Sequence, residues 1–198
     1  MKRFFCAVPL AVLLVGFLLW GMASHSVYAL LTPLAIIIHE AGHLIGAALV
    51  GVSLGDLRIT TSEARLTPNG GLLPYGKELW ICLCGPLSNA VCAFVASLFG
   101  ARLLDTSPLS FFATVSISLA ILNMLPVFDF DGGRILSCIF ALVLDLKTAT
   151  ALCRILSFLT LFSLWCISVY ALLRVGENLS LFLFSATLFL RLFAPFSH

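Results

Sequence analysis

The chain has 198 residues, of which 61% are hydrophobic and 10% charged, with a formal net charge of +2. Soluble domains average about a quarter charged residues, so this composition excludes an ordinary soluble globular domain and indicates a polytopic membrane protein. Its basic residues are spread along short loops instead of clustered, which excludes a nucleic-acid surface and makes charge a guide to topology.

Met1-Lys2-Arg3 is a basic start to an apolar run from Phe4 to Trp20. Small residues at Met22-Ala23-Ser24 would suit cleavage of a signal peptide, but the run is long for such a segment, and a retained first span is expected. The second span is expected over Tyr28 to Val50, with Pro33 in its first half. Gly42 and Gly46 lie four apart among alanines, a spacing that lets another helix backbone approach closely.

This span carries Ile36-Ile37-Ile38-His39-Glu40-Ala41-Gly42-His43-Leu44-Ile45, an H-E-x-x-H pattern inside an apolar helix. Residues four apart share a helix face, so His39 and His43 can hold one metal ion. Neutral imidazoles suit Zn²⁺, and two histidines plus one further ligand leave a position for water. Glu40, beside the first histidine, can take a proton from that water. A chance match, or a satisfied core histidine, is the alternative. Two imidazoles and a carboxylate in a hydrocarbon-length helix are costly unless they act.

Gly51 to Glu78 is the longest polar segment. Alternation in Leu57–Thr61 and Ala64–Thr67, followed by Pro68-Asn69-Gly70-Gly71, reads as a short β-hairpin or an irregular loop. The third span is expected over Leu79 to Phe99 and is broken by Gly85-Pro86-Leu87-Ser88-Asn89, a polar patch tolerated at membrane depth only where protein or trapped water satisfies the backbone. The fourth is expected over Leu109 to Val127, running into Asn123-Met124-Leu125-Pro126-Val127-Phe128-Asp129-Phe130-Asp131-Gly132-Gly133-Arg134. A short interfacial helix is expected over Gly132 to Leu146, too short to cross. A fifth span is expected over Ala151 to Leu173 and a sixth over Leu179 to Phe193, with Arg191 able to snorkel.

Seven cysteines, Cys6, Cys82, Cys84, Cys92, Cys138, Cys153 and Cys166, lie in or beside apolar runs without a C-x-x-C pair. They read as small hydrophobes of a membrane interior, not as a disulfide framework. With the N-terminus inside, the inner segments hold nine of the eleven Lys and Arg residues, and Arg102 and Arg174 lie outside. This positive-inside bias places both termini, and the mouth of a site built from His39 and Asp131, on the cytoplasmic side.

Candidates for the third ligand are carboxylates near membrane depth. Glu63 and Glu78 fall in the polar loop; Asp105, Asp145 and Glu177 flank spans without polar company. Asp129 and Asp131 end the fourth span ahead of two glycines that permit a tight turn. Asp131 reads equally well as a metal ligand and as the N-cap of the following helix.

H-E-x-x-H on one span and N-x-x-P-x-x-x-x-D-G at the end of a later one resemble the site-2 protease family of intramembrane zinc metalloproteases, peptidase M50. The match runs over His39, Glu40, His43, Asn123, Pro126, Asp131 and Gly132, and Gly85-Pro86 with Asn89 looks like the family's G-P-x-x-N element. The resemblance implies Zn²⁺ held by His39, His43 and Asp131, water activated by Glu40, and substrate held by Asn123 and Asn89. It implies hydrolysis of peptide bonds in membrane-spanning or membrane-associated protein substrates. Six spans, with the histidines on the second and the aspartate on the fourth, look most like the sporulation-type branch. That branch often adds a nucleotide-sensing CBS domain after the last span, where this chain has only Ala194 to His198, and no PDZ-like insert is visible. The family also often has a second proline where this chain has Val127-Phe128-Asp129.

The resulting expectation is an all-α polytopic membrane protein of about six spans, a single protease domain over 1–198 with core spans 28–50, 79–99 and 109–127. It would sit in a bacterial plasma membrane, with a regulatory membrane protein as a candidate partner. The rival reading is a membrane metal-binding scaffold or pseudoprotease, which has no need of Glu40.

Overall fold

The computed structural model describes residues 27–52, 73–100, 102, 105, 107–175, 182–183 and 185–189. Five helices are defined among them: α1 (Val27–Leu49), α2 (Tyr75–Leu98), α3 (Pro108–Asn123), α4 (Asp131–Val143) and α5 (Leu146–Val175). No strand occurs among the described residues. The first span expected over Phe4–Trp20 and nearly all of the hairpin or loop expected over Gly51–Gly71 lie outside them. So does much of the sixth span, of which residues 182–183 and 185–189 are helical. Among the described residues, three helices are long and apolar enough to cross a membrane: α1, α2 and α5 up to Arg174. The protein is an integral membrane protein. Its described residues form two compact units, divided after Met124.

In the first unit, α1 has the polarity that a bilayer demands. Its buried positions are small or polar: Ala29, Pro33, Ala35, His39, Gly42, Gly46 and Ala47. Its large apolar residues, among them Leu30, Leu34, Ile37, Leu44 and Ile45, are exposed. Lipid solvates these as well as a protein core would, so helix association rests on close backbone approach. A Cβ on Gly42 would come within 2.5 Å of the Cys84 carbonyl oxygen, and one on Gly46 within 2.7 Å of Cys84 Sγ. The two glycines therefore form the seam between α1 and α2. Against α3, α2 packs through alanines, with Ala93 and Ala96 meeting Ala113 and Ile117.

The helix ends follow local chemistry. Past α1, Gly51 takes a φ of 73°, and the amides of Gly51 and Val52 return to the carbonyls of Ala48 and Ala47 at 3.1 and 2.9 Å. This paired closure uses glycine's freedom in the left-handed region. Val52 then packs with Ala47, Leu73 and Ile81, and Lys77 Nζ donates to the Val50 carbonyl at 2.9 Å. Ser107 caps α3 by accepting from the Ser110 amide at 3.2 Å, with Pro108 at the first helical position.

Several boundaries differ from the sequence expectation. The third span starts at Tyr75, ahead of Leu79. The fourth stops at Asn123, short of Val127, because Pro126 lacks an amide hydrogen and drives its predecessor out of helical geometry. At 16 residues α3 is about 24 Å long, less than a hydrocarbon core of about 30 Å.

In the second unit, α4 begins at Asp131 and ends at Val143. The fifth span begins at Leu146, five residues early, since Asp145 Oδ2 accepts from the Thr148 amide at 3.1 Å and starts the helix there. Val127, Leu161 and Leu188 form the core of this unit, joined by Leu125, Phe130 and Phe189.

Candidate metal centre

His39 and His43 lie one turn apart on α1 with their Nε2 atoms 3.2 Å from one another. Each ring is held from outside by α2. His43 Nδ1 donates to the Ile81 carbonyl at 2.8 Å, and His39 Nδ1 lies 3.3 Å from Asn89 Nδ2. Pinning both outer nitrogens turns both Nε2 atoms to the same place, as a shared metal ion requires.

The Gly85-Pro86 patch explains how α2 reaches so close. A Cβ at Gly85 would overlap the His43 ring, meeting its Nε2, Cε1 and Cδ2 atoms, the last at 2.9 Å. Gly85 is therefore the seat of that imidazole. Ser88 Oγ lies 3.0 Å from the Ile38 carbonyl and 2.7 Å from the Gly85 carbonyl, tying the same turn of α2 to α1. Asn89, expected at the substrate, is completely buried and directs its amide at His39.

Glu40 is exposed, in contrast to its neighbour His39, which is buried. Asn123 is half-buried at the last residue of α3, and one of its amide hydrogens goes to the Leu119 carbonyl at 3.0 Å.

In the second unit the two aspartates separate cleanly. Asp129 is exposed and Asp131 is buried. Asp131 is not the N-cap: that position belongs to Phe130, which makes no side-chain cap bond, and Asp131 is the first residue of α4. The preceding turn folds tightly onto the helix, so that a Cβ on Gly133 would overlap the Val127 carbonyl. Hydrogen bonds from the Val127 amide to Leu125 at 2.7 Å and from the Phe130 amide to Val127 at 2.9 Å shape that turn.

Among the described residues, His39 and His43 of the first unit and Asp131 of the second each offer one atom of a kind that binds metal. Two imidazoles and a carboxylate are a donor set that fits zinc.

The comparisons agree with this chemistry. The model of peptidase family M50 matches residues 101–165, the stretch that contains Asn123, Pro126 and Asp131. Stage IV sporulation protein FB of Bacillus subtilis (strain 168) is 27% identical over 182 residues, which cover 80% of this chain. The chain is similar to peptidase family M50 over residues 101–165. This chain spans 61% of the length of that curated relative. Its fold is that of a site-2 protease from Methanocaldococcus jannaschii, with a TM-score of 0.56 and 21% identity over 93% of this chain and 85% of the other.

Sequence reasoning singled out the histidines and Glu40 by spacing and the two aspartates by their place at the end of a span, with Asp131 preferred as ligand only through the family resemblance. It missed the Ile81 carbonyl, a main-chain group with no sequence signal. It also missed Gly85 as a ring seat, although a Gly-Pro pair in mid-span marked the place.

Proposed function

We propose that this chain is an intramembrane zinc metalloprotease that hydrolyses peptide bonds of membrane-spanning or membrane-associated proteins. The observation that carries the reading is the convergence of the His39 and His43 Nε2 atoms at 3.2 Å, beside an exposed Glu40. His39 and His43 would hold Zn²⁺ with Asp131 as third ligand, a choice over Asp129 that the burial of Asp131 supports.

When bound, zinc supplies Lewis-acid chemistry and brings the pKa of water down toward ~7. Glu40 takes the proton of the attacking water at its carboxylate and passes it to the leaving amine. Asn123 retains an amide hydrogen beyond the one given to Leu119, and it donates this to the carbonyl oxygen as charge develops there. Substrate helices satisfy their own backbone, so the scissile segment must unwind before it can be cut. In this reading both termini and the mouth of the site face the cytoplasm of a bacterial cell, in line with the nine-to-two distribution of basic residues.

Glu40→Gln tests the mechanism, because glutamine keeps the shape and cannot accept the proton. The purified variant should keep its zinc and its fold, and lose about 10²–10⁴-fold in cleavage of a single-span substrate. A metal-binding scaffold predicts no cleavage by the wild-type chain either. Wild-type cleavage by a folded Glu40→Gln protein would end the general-base assignment.

A further inference from the structure

We infer that Asn89 is a positioning residue that sets the tautomer of His39 by turning its side-chain amide, a role that rests on the zinc reading above. The two histidines differ in their outer partners. Facing His43 is a main-chain carbonyl, which only accepts, so its Nδ1 carries the proton and its Nε2 keeps a lone pair. Facing His39 is an amide, which can donate from one end or accept at the other.

With Nδ2 toward the ring, at 3.3 Å, Asn89 donates to His39 Nδ1. The neutral ring then carries its proton on Nε2, directed at His43 Nε2 3.2 Å away. This is a consistent relay from Asn89 through His39 and His43 to Ile81, but a protonated Nε2 cannot ligate a metal. It also leaves Asn89 Oδ1 buried without a hydrogen-bond partner, a costly arrangement for an acceptor sealed from solvent.

A half-turn of the amide gives Oδ1 a donor and suits the ligating state. Oδ1 then accepts from His39 Nδ1–H, the proton leaves Nε2, and both histidines present lone pairs to one ion. Metal-binding histidines usually direct their second nitrogen at such an acceptor, and losing it costs about 10–100-fold in affinity. The Asn89 side chain is completely buried, which leaves it no route to a substrate except through His39. The spacing from Gly85 to Asn89 has its own logic: residues four apart share a face of α2, so one residue seats the His43 ring and the other orients His39.

The test uses the detergent-purified full chain and Zn²⁺, with affinity read by chelator competition and folding by thermal unfolding. Asn89→Leu preserves bulk and removes the acceptor, and should bind zinc about 10–100-fold more weakly. Asn89→Asp, which can only accept, should stay close to wild type, a rescue that a donor role for Asn89 does not predict. Asn89→Leu protein that binds zinc like wild type would overturn the proposal. Should Asn89→Leu not fold, NMR of isotope-labelled histidines in the zinc-loaded wild-type chain decides. Both rings protonated at Nδ1 supports the assignment, and His39 protonated at Nε2 overturns it. Wild-type protein that takes up no zinc would overturn the protease reading itself, and this proposal with it.

Discussion

Replacing Gly85 with alanine would press one methyl group into the His43 ring. The added Cβ would lie 2.9 Å from Cδ2 and closer still to Nε2 and Cε1, whereas ordinary contacts begin at 3.4 Å. Relief requires the ring to retreat by roughly 1 Å, and a displacement of that size near the chemistry costs on the order of 10²-fold in rate. Retreat is opposed by the 2.8 Å bond from His43 Nδ1 to the Ile81 carbonyl. That carbonyl lies on the same helix as the intruding methyl, so moving α2 away would break the bond as well. Overpacking of this kind costs about 1–3 kcal/mol in stability, and a disturbed ligand about 10–100-fold in metal affinity. Gly76→Ala is the control, in the same helix, where a Cβ meets nothing within 4 Å; it should be neutral or stabilising by up to about 1 kcal/mol. Zinc content by elemental analysis, chelator competition and thermal unfolding would be measured for both. A Gly85→Ala protein with wild-type zinc affinity would refute the ring-seat argument.

Asp131→Ala should strip zinc while Asp129→Ala should not, since Asp131 is buried and Asp129 exposed; elemental analysis distinguishes them, and the reverse pattern would reassign the ligand. The Asp145 carboxyl is held below the ordinary carboxylate range, first by the Thr148 side chain and then by the Thr148 amide. A depressed folded-state value contributes stability above the unfolded pKa that is lost as pH falls through the folded one. The thermal midpoint of Asp145→Asn should therefore lie below wild type at neutral pH, with the gap closing in acid; a gap independent of pH would show that charge is not the cause. A reporter fused after His198 should be cytoplasmic and one at Arg102 outside, and cysteine labelling at the same places gives an independent reading.

Much of the first unit was legible because its determinants are local. The H-E-x-x-H spacing follows helix periodicity, and the Gly42/Gly46 spacing announced the close approach to α2. Boundaries were less legible. Hydropathy continued through Val127 while the helix stopped at Asn123, because Pro126 acts on backbone geometry that an apolar average does not register. Asp131 had two readings of equal merit as sequence, and Phe130 taking the cap position removed one of them. Asn89 was found as part of a family element, but its partner could be known only from the side of α1 it faces. A carbonyl such as that of Ile81 has no residue identity to find.

Both histidines take their outer hydrogen bonds from α2, and Ser88 ties the same stretch of α2 to Ile38. Sliding α1 along α2 by a single residue, about 1.5 Å, would break all three contacts together. A bilayer thinner or thicker than the helices can answer this hydrophobic mismatch by changing tilt, but not by shearing these two helices past each other. Helices α1 and α2 must therefore lean as one body, and the spacing of the two imidazoles should be the same in short-chain and long-chain lipids.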